Sequence, residues 1–239
     1  MNKEYKILDW DSNHFGYKVA NISNQLLDVN EINFLLDVMK HDGIRLAYFE
    51  KKHNDISSCE SRIAKSGKLV DIKTTYIKNI SSTLDVHNRN NNVVVYEDDS
   101  TSAELDSLAI QSGVYSRFNL DENIDEPSFK NLYRTWIKKS VESDDIEILV
   151  VTLNKIIVGM ITLYVDGDCG KIGLLSVDSQ YRGYGIGKDL IHAAIERFKE
   201  LKCKTVEVIT QQGNIPACSL YETMGFDVKH VCCFYHFWL

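Results

Sequence analysis

The run Gly173-Leu-Leu-Ser-Val-Asp-Ser-Gln-Tyr-Arg-Gly-Tyr-Gly-Ile-Gly-Lys-Asp-Leu190 joins an apolar stretch ending near Asp178 to a turn rich in glycine. The turn holds Gln180, Arg182, Gly183, Tyr184, Gly185, Ile186 and Gly187, and an amphipathic stretch follows. Between a strand and a helix, such a turn leaves backbone N–H groups bare at the positive end of a helix dipole. The chemistry this suits is phosphate binding. Glycine lets the backbone approach an anion without a Cβ and adopt positive φ. Arg182 reads equally as a phosphate contact and as an exposed charge, the default for arginine. A second run, Asn214-Ile-Pro-Ala-Cys-Ser-Leu-Tyr-Glu-Thr-Met-Gly-Phe226, places a cap residue, a tyrosine and a helix-stopping glycine in order. On an apolar helix face Tyr221 would ordinarily be core, with its hydroxyl finding a partner.

Two phosphate motifs fail on spacing. A dinucleotide-binding G-x-G-x-x-G starting at Gly183 needs glycine where Lys188 stands, and a P-loop ending in Gly187-Lys188 needs glycine at Arg182 and Ser or Thr at Asp189. Hydride transfer and nucleotide hydrolysis lose their sequence support.

The elements that must position these runs alternate β and α. Residues 4–22 suggest two short strands with a turn at Gly16. Val29, Ile32, Leu35, Leu36 and Met39 recur at helical spacing, with a stop at His41 and Gly43. Strands follow over 44–50 and 69–80, with a weak helix over 59–66 between them. Residues 81–92 are polar and asparagine-rich, a linker or a long surface loop. Beyond it come a strand over 93–97, a helix capped by Thr101 or Ser102, and a helix whose stripe is Phe129, Leu132, Tyr133, Trp136, Ile137 and Val141. A hairpin turns at Asn154-Lys155. Strands over 171–177 and 205–210 flank the helix after the glycines, a helix over 216–224 follows, and an aromatic strand closes the chain.

The composition is that of a globular protein: 239 residues, 44% hydrophobic and 26% charged, enough for one large domain or two small ones. A formal charge of −7 argues against a general nucleic-acid binder, which needs a basic field to release counterions. No secretory signal and no stretch of about 20 apolar residues stands out, so no membrane partner is expected. The six cysteines lack C-x-x-C spacing, and adjacent Cys232 and Cys233 would point to opposite faces of a strand. They are read as free thiols in a reducing cytoplasm, with no metal site.

Gln180-x-x-Gly183-x-Gly185 after a strand resembles the acetyl-CoA motif of the GCN5-related N-acetyltransferase (GNAT) superfamily. Asn214-x-x-Ala217-x-x-Leu220-Tyr221-x-x-x-Gly225-Phe226 resembles its second signature at every fixed position. The resemblance covers about residues 93–239. It implies an α/β (α+β) GNAT fold: a mixed, mostly antiparallel central sheet flanked by helices over 86–239, preceded by a smaller α/β domain over 1–85. It implies acetyl-CoA as acyl donor, held in a V-shaped opening between the strands ending at Val177 and near Thr210. Leu175, Ser176 and Val177 would take the acyl arm, and Gln180 and the residues Arg182 to Gly187 the pyrophosphate. Asn214 and Ala217 would add contacts, and Tyr221 would protonate the CoA thiolate. The base stays open among Glu97, Asp98, Glu207 and water, while His14, His192 and His236 are candidates only by type.

Ile7-Leu-Asp-Trp-Asp-Ser-Asn-His-Phe-Gly16 and Ser116-Arg-Phe118 resemble stretches of bacterial dTDP-fucosamine (dTDP-4-amino-4,6-dideoxygalactose) acetyltransferases. This implies a nucleotide-linked amino sugar as acceptor, a step in polysaccharide biosynthesis, with Arg117 and Phe118 as substrate contacts. From the residues alone, Arg117 is equally a surface charge. Two rivals stand beside this reading: a GNAT acting on a peptide amine or polyamine, and a non-catalytic acyl-CoA sensor. The closing strand, Phe234 to Trp238, would either cover its own sheet or pair with a second subunit in a homodimer.

Overall fold

The structure is a computed structural model that describes residues 4–53, 60, 62–64, 66–80 and 91–239. By internal contacts the chain divides into two compact units. One is Met1–Thr74 with Gln211–Gly213 and His230–Leu239; the other is Thr75–Thr210 with Asn214–Lys229. The boundary expected between residues 85 and 86 falls within 81–90, outside the described residues.

In the first unit β1 (Tyr5–Ile7) pairs antiparallel with β2 (Val19–Ile22), which runs parallel to β3 (Leu46–His53). Both strands expected in residues 4–22 form, but Asp9–Phe15 between them is a helix, α1. Asp9 and Asp11 sit in its first turn and His14 in its last, each matching the helix dipole, and Gly16 ends it at φ 75°. Helix α2 (Val29–His41) opens on a capping box formed by Asp28 and Glu31. It buries Ile32, Leu35, Leu36 and Met39 in a core with Ala47, Phe49, Tyr235 and Phe237. Where a weak helix is expected over 59–66, the described residues include a strand, β4 (Arg62–Ile63), that turns back onto β5 (Gly67–Asn79). A Cβ at Gly67 would lie 2.6 Å from the Phe237 ring, so this return needs glycine.

The C-terminal strand β11 (Asp227–Trp238) pairs antiparallel with β3, from Val231 opposite His53 to Trp238 opposite Leu46. The aromatic strand is therefore covered by its own chain. Cys233 within it is disulfide-bonded, while Cys169, Cys203, Cys218 and Cys232 are free thiols. The expectation of six free thiols is corrected at Cys233; Cys59 lies outside the described residues.

The second unit is built on an antiparallel meander of β6 (Val93–Val95), β7 (Glu147–Leu153), β8 (Ile156–Asp166) and β9 (Cys169–Val177). The hairpin at Asn154 and Lys155 takes φ of 51° and 68°, the geometry that matches strand twist. Strand β10 (Thr205–Gln211) then joins β9 in parallel, and the order is β5-β10-β9-β8-β7-β6. Helix α6 (Ile186–Glu200) packs on one face, burying Leu190, Ala194 and Phe198 with Leu149, Val151, Val158 and Ile161. Residues of opposite parity, Ile148, Val150 and Met160, are buried as well, and α3 (Ala103–Ser112) and α5 (Glu126–Val141) pack against β7, β8 and β9. Helices α4 (Arg117–Leu120) and α7 (Ile215–Thr223) complete the unit.

Candidate active site

Strands β9 and β10 keep parallel register only from Cys169 opposite Thr205 to Ile172 opposite Val208. From Gly173 onward β9 pairs with β8 alone: Leu175 faces Ile161, Ser176 faces Met160 and Val177 faces Gly159. The parting coincides with an irregularity in β8 between Ile161 and Leu163. There the Leu174 N–H donates to Thr162 Oγ1 at 2.7 Å, and a Cβ at Gly173 would meet the same oxygen at 2.6 Å. A bulge re-aims a strand. The side of β9 that faced β10 is thereby left without a strand partner over 173–177.

This strand feeds the glycine turn. The Asp178 N–H donates to the Val158 carbonyl at 2.9 Å, a 3-10 turn spans Ser179–Tyr181, and the Gln180 N–H donates to Asp178 Oδ1 at 2.9 Å. Gly183 and Gly185 take φ of 87° and 82°, which only glycine adopts without strain, and nothing lies within 4 Å of a Cβ built on Gly183. The first bond of α6 runs from the Asp189 N–H to the Gly185 carbonyl at 3.1 Å. None of the backbone N–H groups from Arg182 to Lys188 donates to an acceptor among the described residues. These bare donors stand at a helix start, the setting that favours anionic oxygen. Ile186, 1% exposed, roots the turn in the core, whereas Tyr184 is 70% exposed. Arg182 is exposed, and its Nε donates to the Val177 carbonyl at 3.1 Å.

Helix α7 brings the second signature to this turn. The Asn214 side chain caps the helix by accepting from the Ala217 N–H at 3.3 Å. A Cβ at Gly187 would sit 3.2 Å from Leu220 Cδ2 and 3.8 Å from Val177 Cγ2, so the strand end, the glycine turn and α7 converge. Tyr221 is 3% exposed, with its ring 5.6 Å from Tyr76 and 5.8 Å from Phe226. Its hydroxyl makes no hydrogen bond to a described residue. Burial, and less strongly the Cys218 thiol, push its pKa far above the ordinary tyrosine value. The phenol is held protonated at any physiological pH. Tyr76 is also raised by burial, and its hydroxyl donates to Glu222 Oε1 at 3.0 Å.

Glu222, next to Tyr221 in the chain, is exposed and accepts from the Tyr76 hydroxyl. Glu207 is paired with Lys171 Nζ at 2.7 Å and with Lys229 Nζ. Burial pushes its carboxyl up, but the two ammonium groups overcome that and hold it below the usual range. Glu97 and Asp98 are exposed. His14 stacks on Trp10 at 5.2 Å and His236 on Tyr48 at 4.8 Å, both in the first unit, and His192 is half-buried in α6. Of the expected acceptor contacts, Phe118 is buried edge-on to Trp136 at 5.9 Å, and the Arg117 guanidinium lies over the Phe118 ring at 4.4 Å. No cluster of three or more His, Cys, Asp or Glu able to hold a metal occurs among the described residues. Among the described residues no helix is long and apolar enough to cross a membrane.

Two residues at the glycine turn carry no motif. Gln111 of α3 accepts from the Ser179 N–H at 3.1 Å and donates to Asp178 Oδ2 at 3.1 Å. Asn91 donates its N–H and Nδ2 to Asp189 Oδ2 at 3.0 and 2.7 Å, and Nδ2 also to the Tyr184 carbonyl at 3.4 Å. Neither has a sequence signal, because each acts across about 70 to 100 residues of chain.

Residues 113–226 match the acetyltransferase (GNAT) family. A GCN5-related N-acetyltransferase from Sphaerobacter thermophilus shares the fold, with a TM-score of 0.56 at 12% identity over 97% of this chain and 75% of that one. The chain has the GNAT fold, and the stretch that matches the family holds both the glycine turn and the tyrosine helix. Over 57 residues it is 44% identical to N-alpha-acetyltransferase 30 of Saccharomyces cerevisiae, covering 24% of this chain and 32% of that protein. Over 132 residues it is 27% identical to the spore coat polysaccharide biosynthesis protein SpsD of Bacillus subtilis, 55% of this chain and 45% of that one. The chain thus spans less than half the length of both of these relatives.

Proposed function

We propose that this chain transfers the acetyl group of acetyl-CoA to the amino group of a dTDP-type, nucleotide-linked amino-dideoxysugar. The observation that carries the reading is the row of unengaged N–H groups from Arg182 to Lys188, joined through Gly187 and Leu220 to the helix bearing Tyr221. Arg182 to Gly187 and Gln180 receive the pyrophosphate, with Asn214 and Ala217 beside them. The unpaired side of β9 at Leu175, Ser176 and Val177 receives the acyl arm. The acceptor nitrogen attacks the thioester carbon, the C–S bond breaks, and Tyr221 gives its proton to the departing sulfur while the nitrogen's excess proton leaves to water. Burial that raises the phenol equally raises a thiolate formed beside it, so the two stay matched for that transfer.

For the acceptor, support comes from the SpsD relative, whose name places that protein in polysaccharide biosynthesis. Arg117, stacked on the buried Phe118 ring, offers a cation to a phosphate. A ring amine flanked by electron-withdrawing oxygens is less basic than lysine, which fits a site whose nearby carboxylate, Glu207, is already committed to two lysines.

A second reading, acetylation of a peptide N-terminus, is favoured by the 57-residue similarity to N-alpha-acetyltransferase 30. Purified protein incubated with acetyl-CoA and a panel of dTDP-4-amino and dTDP-3-amino sugars, short peptides and spermidine separates them by thiol release. Release with an amino sugar is expected. Release with peptide or polyamine alone overturns the sugar reading, and release with none of them leaves an acyl-CoA sensor in its place.

A further inference from the structure

The glycine turn is flanked by two carboxylates, Asp178 immediately before it and Asp189 in the first turn of α6. Both are ill-placed by type. A carboxylate beside a diphosphate site repels the ligand, and it competes for the same N–H groups by capping them locally. Asp178 already takes the Gln180 N–H. Each carboxylate is nevertheless occupied by an amide side chain from a distant part of the second unit. Gln111 meets Asp178 Oδ2 and also fixes the Ser179 N–H, while Asn91 gives two donors to Asp189 Oδ2 and a third contact to the Tyr184 carbonyl. Asp189 is only 6% exposed, so its side of this pairing is largely shielded from water, where hydrogen bonds to a charge count more.

We infer that Gln111 and Asn91 are positioning residues for the donor site. They clamp the two ends of the glycine turn and hold Asp178 Oδ2 and Asp189 Oδ2 off the N–H groups beyond Gln180, so that the row from Arg182 to Lys188 is vacant and ordered before the phosphate arrives. Gln111 lies on the helix that leads, through a short connection, to Ser116 and Arg117. The entrance to the turn and the acceptor contacts are therefore carried on one continuous piece of backbone.

The inference rests on acetyl-CoA being the anion the turn receives. Its test is CoA binding by calorimetry with the full chain, alongside the melting temperature of the unliganded protein and kinetics at saturating acetyl-CoA. Asn91→Ala and Gln111→Ala should each weaken CoA by about tenfold, the value of one hydrogen bond to a charged group. Saturated turnover should stay within about twofold. Asn91→Asp should weaken CoA further, because two carboxylates then face each other. The exchange Asn91→Asp with Asp189→Asn should recover most of the loss by reversing the donor and acceptor. Unchanged CoA affinity in both alanine variants overturns the inference while leaving the donor reading intact. So does a loss that tracks the melting temperature and that the exchange fails to recover. A native chain that does not bind CoA overturns the donor reading and this inference together.

Discussion

The turn from Arg182 to Lys188 and the helix face carrying Tyr221 lie in one unit and meet through Gly187 and Leu220, yet in the proposed reaction they work by opposite means. The turn is open and offers backbone: its donors belong to the peptide chain, and its side chains, the buried Ile186 apart, are glycine or largely exposed. The helix face is closed and offers one side chain, a phenol walled by Tyr76, Cys218 and Phe226. Binding by backbone is tolerant, because most substitutions leave an N–H where it was. Chemistry by a single buried group is not, because nothing beside it can take its place. The difference predicts where the chain is fragile in turnover and where it is fragile in affinity.

The largest effect should come from Tyr221→Phe. Removing a placed general acid should lower kcat by about 10²–10⁴-fold and leave the KM for acetyl-CoA nearly unchanged. Burial raises the Tyr221 phenol above its ordinary value of about 10. The acid form therefore persists upward in pH, and no loss of kcat from its deprotonation should appear below about pH 10. A basic limb near neutrality that disappears in Tyr221→Phe would contradict this environment. Turnover that survives the substitution would remove the contrast between the two regions altogether.

Gly185→Val should do the reverse. A β-branched residue at φ 82° strains the backbone by about 1–3 kcal/mol and disturbs the start of α6. The expected result is a KM for acetyl-CoA about 10–100-fold higher with kcat at saturation largely retained. Equal losses in both constants would mean that the turn also shapes the transition state, and the division between binding and chemistry would then be too sharp.

Much of this contrast is legible in the chain because its parts are local. Gly183, Gly185 and Gly187 follow a strand directly, and Asn214, Tyr221 and Gly225 lie on one helix and its caps, so spacing alone carries them. What spacing does not carry is pairing over distance. That β11 returns to β3 is invisible in Phe234 to Trp238, where an aromatic alternation fits any sheet edge, including one in a second copy of the chain. That β9 leaves β10 after Ile172 depends on Thr162 and Gly173, two unremarkable residues that meet only once the strands are paired. The helix α1 was hidden for a different reason: Trp10, Phe15 and Tyr17 weigh toward strand, and the acidic first turn and Gly16 decide otherwise. Gln111 and Asn91 hold the turn through amide contacts that no periodicity encodes.

The smallest effect on turnover should come from Glu207→Gln, although a carboxylate on β10 is the obvious candidate for a base. Glu207 is spoken for by Lys171 and Lys229, and the same pairing draws the Lys171 ammonium upward against the burial that would lower it. A carboxylate held below its usual range is a poor proton acceptor near neutrality. Its role is instead read in stability. Because the folded pKa lies below the unfolded value of about 4.3, the contribution is complete above that value and is lost as pH falls through the folded one. Glu207→Gln should leave kcat within about twofold and lower stability at neutral pH by about 1–3 kcal/mol, the worth of hydrogen bonds to a charged group. At about 2–4 °C per kcal/mol the change is measurable by thermal melting. Melting curves of the two proteins should converge below about pH 4, where the native carboxyl begins to take up its proton. A large loss of kcat with stability unchanged would place Glu207 in the proton path from the acceptor amine, and the buried half of the site would then hold a base as well as an acid.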